Sequence, residues 1–131
     1  MPPETENELQ TSAPRTWAPY EPHLFLVLER ERPLASGIRC SLRDIDDVRI
    51  MRGDARSAVR DHEAKRLAIT LADRKVSQSH ARIVRRGEGF ALEDAGSTNG
   101  TFVNGIRLTR ERRLAPGDVI RIGETDLRFE T

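Results

Sequence analysis

Three short segments of this 131-residue chain collect side chains suited to holding an anion. They are Ile50-Met51-Arg52-Gly53, Val76-Ser77-Gln78-Ser79-His80-Ala81, and the run from Asp94 through Gly96-Ser97-Thr98-Asn99-Gly100-Thr101 to Phe102-Val103-Asn104-Gly105. Arg52 offers a planar fork of donors that matches the oxygens of a phosphate. Ser77 and Thr98 add hydroxyl donors, and Gln78 and Asn99 add carboxamides that can bridge to a peptide backbone. Glycine-rich turns bring backbone N–H groups close to an anion. None of these groups is a strong base or an activated nucleophile. The inventory suits grasping a phosphate rather than breaking a bond.

Other chemistries find less support. The three histidines, His23, His62 and His80, lack ligand spacing, and Cys40 is the single cysteine, so no metal site is expected. No cofactor-binding pattern, nucleophile elbow or paired-carboxylate arrangement is present, and no enzymatic activity is expected. A third of the residues are charged, yet the formal net charge is only +1, which argues against a nucleic-acid partner. No apolar run approaches the roughly 18–20 residues that span a bilayer. The acidic start MPPETENELQ is unlike a secretion signal, so a cytoplasmic location with no membrane partner is expected. Taken one by one, the site residues have bland readings. Arg52 reads as a solvated strand-end charge, Ser77 and Ser79 as turn residues capping backbone groups, and Ser97-Thr98-Asn99 as loop chemistry.

The elements that must position these residues are strands. Residues 1–22 are rich in Pro, Glu, Thr and Ser and read as a flexible leader or linker, with Trp17 and Tyr20 as candidate anchors at its end. From His23 to Thr131 the chain reads as one domain of short apolar runs separated by turn signals. Leu24, Leu26 and Leu28 alternate with Phe25 and Val27, as in a strand buried on both faces. Further strands are predicted at Gly37–Leu42, Val48–Met51, Leu67–Leu71, around Ile83-Val84 and around Phe90–Leu92. Arg30–Ser36 reads as a turn around Pro33. Asn104-Gly105 is a two-residue hairpin turn, and Pro116-Gly117-Asp118 is another tight turn. Asp54–Arg66, highly charged with scattered apolar residues, reads as a mobile loop, with a helical turn around His62–Lys65 as the alternative. Arg107, Arg110, Arg112 and Arg113 read as a solvated basic loop, and Cys40 as a buried small hydrophobe. Many short strands with regular turns predict an all-β sandwich.

The three segments resemble the pattern of forkhead-associated (FHA) domains: a strand ending in Ile-Gly-Arg, a Ser-x-x-His loop, and Ser-Thr-Asn-Gly-Thr followed by an Asn-Gly hairpin. The similarity runs from about Leu24 to Phe129 and includes the closing pattern from Leu114 through Gly117-Asp118 and Ile120 to Ile122-Gly123. It implies an FHA-like (SMAD/FHA) β-sandwich of two antiparallel sheets with phosphopeptide loops at one edge. It also implies phosphothreonine-dependent binding of a partner protein, in Ser/Thr-kinase signalling or transcription regulation. By position, Arg52 and Ser77 match the family's phosphate ligands. Thr98 and Asn99 match its contacts to phosphate and peptide, and His80, Gly100 and Asn104 its structural supports. Two departures stand out. Met51 replaces the usual Gly, with Gly53 following Arg52, so a shifted register would bring Arg56 into competition. Gln78 replaces a more common Arg or Asn, a loss for which Arg74 or Lys75 could compensate. These departures favour a second reading, a phospho-independent docking or dimerisation module. The Arg52-Gly53 variant with its long following segment is similar to FHA domains at the amino termini of bacterial sigma-54-dependent activators.

Overall fold

The computed structural model describes residues 5–7, 21–29 and 38–131. Two β-sheets pack face to face with no helix among the described residues. One sheet carries β1 (Thr5–Asn7), β5 (Ser57–Asp61), β6 (Arg66–Leu71), β4 (Asp47–Arg52), β7 (Ala81–Arg86), β8 (Gly89–Asp94) and β11 (Arg112–Arg113), in that spatial order. The other carries β10 (Ile106–Arg107), β9 (Thr101–Val103), β12 (Val119–Ile122), β13 (Thr125–Glu130), β2 (His23–Glu29) and β3 (Ile38–Ser41).

Period-two alternation places the core. In β6, Leu67, Ile69 and Leu71 are buried while Arg66, Ala68 and Thr70 are half-buried, because successive side chains leave a strand on opposite faces. Val48 and Ile50, Ile83, Phe90 and Leu92 meet Leu24, Ile120, Ile122, Leu127 and Phe129 from the facing sheet. Phe90 and Phe129 cross this interior edge to face, with ring centroids 6.0 Å apart. Cys40 is buried in β3, as expected of a small hydrophobe. Asn104 and Gly105 take φ values of 50° and 82°, the two positive angles that a type I′ hairpin turn between β9 and β10 requires.

Four details differ from the sequence reading. The segment 54–66 is not a loop throughout: it contains β5, which pairs antiparallel with β6 through Ala58↔Ile69 and Arg60↔Leu67, and residues 62–65 form the turn between the two strands. Ala58 and Arg60 are both buried, and Arg60 donates to the carbonyls of Ser41 at 2.7 Å and Arg43 at 3.1 Å. An inward-facing arginine breaks the apolar alternation that would have marked the strand. Asp61 then closes a tight turn by accepting from the Glu63 and Ala64 N–H groups. Second, β4 and β6 run parallel, because β5 carries the chain back to the starting edge before β6 begins. Third, Phe25 is only half-buried on β2, lying under the guanidiniums of Arg39 and Arg128. Fourth, the basic stretch contains β11, whose Arg112 and Arg113 pair with Leu92 and Ala91.

Within the leader, Thr5–Asn7 pairs with Asp61–Val59 of β5. Trp17, Tyr20 and the turn around Pro33 lie outside the described residues.

Candidate functional site

Three connections gather at one end of the sandwich: the one leaving β4, the β6–β7 loop and the β8–β9 loop. Each carries one of the segments singled out above. Arg52 closes β4, and its backbone N–H donates to the Ser77 carbonyl at 3.0 Å, tying the first connection to the second. The Gly53 N–H donates to the Leu71 carbonyl at 3.1 Å. A Cβ on Gly53 would lie 2.9 Å from the Thr70 Cβ, so glycine after the arginine is required by the close approach of β6. That contact explains the shifted glycine physically.

The Ser77 hydroxyl oxygen accepts the Thr98 backbone N–H at 3.0 Å, tying the second connection to the third. A serine hydroxyl has one proton to give and two lone pairs, so this bond leaves its O–H available to an incoming oxygen. Asn99 donates its amide to the Lys75 carbonyl at 2.9 Å, a second tie between the same loops, and keeps its own carbonyl as an acceptor.

His80 sits fully buried beneath these ties. Its Nδ1 accepts the Ser77 N–H at 3.0 Å, and its Nε2 lies 2.8 Å from the Gly100 carbonyl. Both contacts are satisfied together by the neutral ring with its proton on Nε2. The histidine therefore braces one loop against the other, with both ring nitrogens occupied by backbone.

Asp94 organises the third loop from within. Its carboxylate accepts the N–H groups of Gly96 and Ser97 and the hydroxyls of Ser97 and Thr101. Burial pushes its carboxyl up, but hydrogen bonds from Ser97, Thr101 and the loop backbone outweigh this and hold it below the ordinary aspartate range. Ser97 passes the order on by accepting the Gly100 N–H at 2.9 Å. On the other side, Asp73 accepts from the N–H groups of Lys75 and Glu124 and the Thr125 hydroxyl, pinning the second loop to the β12–β13 turn.

Arg52, Ser77, Thr98 and Asn99 thus come together, with His80 and Gly100 beneath them. Arg52 is exposed and has no side-chain partner among the described residues. Gln78 is also exposed and lines a separate cavity with Arg49 and Met51 on the outer face of the sheet. Of the proposed compensating cations, Lys75 is paired with Glu124 at 3.0 Å, while Arg74 is exposed without a partner among the described residues. Arg56 lies beyond the end of β4 and is half-buried. Asn104 stands apart from these three connections. It donates to Asp118 and accepts from the Val119 N–H, locking the β9–β10 hairpin against β12. Asp94 and Asp73 were missed as site organisers. The spacing Asp94-x-Gly96-Ser97 is the signal for the first, since an aspartate readily accepts N–H groups two and three residues on.

A family model described as "FHA domain" matches residues 57–123, just over half of the chain. The chain belongs to the FHA family. The matched stretch holds the second and third loops and begins beyond Arg52, so the arginine's place at the FHA loop edge comes from the geometry of β4. FhaB of Mycobacterium tuberculosis, an FHA domain-containing protein, is 40% identical over 57 residues, which cover 44% of this chain and 37% of FhaB. A solved FHA domain studied for its phosphothreonine-dependent interactions is 32% identical, with a TM-score of 0.59, covering 83% of this chain and 96% of that one. Mycobacterium tuberculosis EmbR, solved with a low-affinity phosphopeptide, is 26% identical over 82% of this chain and 24% of its own, with a TM-score of 0.56. The match to FhaB thus covers little more than a third of that relative's length. FHA domains are interaction modules, and no helix among the described residues is long and apolar enough to cross a membrane.

Proposed function

We propose that this FHA domain binds phosphothreonine in a partner protein, within Ser/Thr-kinase signalling or transcription regulation, and performs no catalysis. The observation that carries this reading is the contrast at the loop edge: Arg52, exposed and without a side-chain partner among the described residues, rises from loops that are tied to one another by hydrogen bonds. In this reading the Arg52 guanidinium and the Ser77 O–H take the phosphate oxygens, with Thr98 beside them. The Asn99 carbonyl accepts a peptide N–H, while Gln78, which lines the outer cavity, stands outside this set. Charge-assisted bonds to a dianion supply the binding energy, and ordering of the peptide limits it. The relatives solved with phosphothreonine-dependent or phosphopeptide interactions support the same assignment. Titration of matched phosphothreonine and threonine peptides tests it. Binding of the phosphorylated form alone is expected, and equal binding of the two would overturn it.

A second reading, phospho-independent docking or self-association, draws on the outer face of the second sheet. Ile106 is 66% exposed and Val119 36% exposed, beside a shallow cleft lined by Phe102 and Gly105. An interaction that survives Arg52→Ala combined with Ser77→Ala would favour this reading over the first.

A further inference from the structure

The outer face of the first sheet holds a cavity of mixed lining, beside the three loops but on the opposite side of β4. Side chains alternate along β4: Ile50 and Arg52 share one face, while Asp47, Arg49 and Met51 share the other. Met51 and Gln78 are the immediate neighbours of Arg52 and Ser77, and both line this cavity of about 360 Å³ together with Arg49, Ser79 and Arg82. Consecutive Cα atoms lie about 3.8 Å apart, so the cavity opens one residue away from the phosphate-facing side chains.

Its electrostatics are unbalanced. The single carboxylate of Asp47 is shared by three guanidiniums: Arg66 at 3.0 Å, Arg49 at 3.1 Å and Arg82 at 3.2 Å. Arg82 is further engaged by Glu93 at 3.4 Å, which leaves three cations facing two anions. Burial pushes the Asp47 carboxyl up, and the hydrogen bonds and charges of Arg66, Arg82 and Arg49 more than reverse this. Arg82 spends its donors on the two carboxylates. Among the described residues Arg49 spends only Nε, so its two terminal nitrogens remain for another acceptor, and its side chain is 44% exposed. An excess guanidinium with idle donors, half-floored by Met51 and rimmed by the Gln78 amide and Ser79 hydroxyl, is matched by an anionic group on a short apolar stem.

We propose that this cavity is a second subsite that reads an anionic side chain of the bound peptide, a carboxylate or a second phosphate, within a few residues of the phosphothreonine, with Arg49 as the selecting residue. This rests on the phosphothreonine reading above. The test measures fluorescence polarisation of phosphothreonine peptides carrying Ala, Glu, phosphoserine or Lys at each of the three positions on either side. The intact domain and Arg49→Glu are compared. At one position Glu should bind about three- to fivefold tighter than Ala, the range of a partly exposed ion pair. A larger gain for phosphoserine would assign the natural ligand as a second phosphate, and an equal or smaller one as a carboxylate. In Arg49→Glu the gain should vanish and Lys should be favoured at that position, while the all-Ala phosphopeptide loses less affinity than the Glu peptide does. Absence of any position preferring an anion, or a preference that survives Arg49→Glu, would overturn the subsite. Failure of every phosphopeptide to bind would instead overturn the phosphothreonine reading, and the subsite with it.

Discussion

The loop frame and the arginine above it are built on opposite terms. In the frame, Asp94 accepts four hydrogen bonds, His80 uses both ring nitrogens, and Ser77 links to both neighbours. Arg52, bonded into the same frame through its backbone, holds its guanidinium without a partner among the described residues. A satisfied frame has no reason to move when a ligand arrives, so it lowers the ordering cost of binding. An unsatisfied cation keeps its interaction energy for that ligand. The difference separates residues that set stability from residues that set affinity, and four measurements can break or sharpen it.

The largest effect is expected for His80→Ala. It opens a buried cavity and orphans the Ser77 N–H and the Gly100 carbonyl, which should cost about 3 kcal/mol or more of folding stability by denaturant titration. Phosphopeptide binding should fall with it, as the second and third loops separate. Arg52→Ala should behave in the reverse sense. Affinity should fall by about 2–3 kcal/mol, the cost of removing one partner of a charged pair, while the thermal midpoint moves by no more than a surface substitution allows. A large loss of stability in Arg52→Ala would erase the proposed division.

Asp94→Asn gives an intermediate and pH-dependent case. A carboxylate held below its unfolded value of about 3.9 adds stability that is complete above that pH and fades as pH falls through the folded value. The thermal midpoint of Asp94→Asn should therefore lie below that of the unaltered domain near neutrality and converge with it in acid below about pH 4. A gap that stays constant through that window would remove Asp94 from its place as the loop's organiser. The smallest effect is expected for Ile106→Ser on the far hairpin, within about 0.5 kcal/mol, because the side chain is largely exposed already. If that substitution alters self-association in sedimentation, the second sheet's outer face gains a role.

The strands with apolar alternation, such as Leu67–Leu71 and Val48–Met51, were legible because one buried face imposes a period of two. The hairpin at Asn104-Gly105 was legible because few residues accept two positive φ angles. Strand β5 was not, since its inward face carries Arg60, whose donors are satisfied by carbonyls from Ser41 and Arg43 seventeen and more residues away in sequence. Strand β11 was hidden for a similar reason: Arg112 and Arg113 carry no apolar signal, and only the exposed edge of β8 recruits them.

At the site, the types and order of Arg52, Ser77, His80, Thr98 and Asn99 were readable, because residue type alone fixes which donors and acceptors are on offer. Which of those donors remain idle was not readable. The Ser77 oxygen and Asn99 amide are used within the frame, Lys75 is drawn to Glu124, and Gln78 turns to the outer cavity. The sequence by itself determined a two-layer β fold and a set of side chains whose chemistry suits an anion, since local periodicity and residue chemistry need no distant partner. Only the tertiary structure decided that, among the described residues, Arg52 meets no partner above a braced frame and Arg49 keeps spare donors beside it. Those properties depend on what each group meets across the sheet, and no local pattern records that.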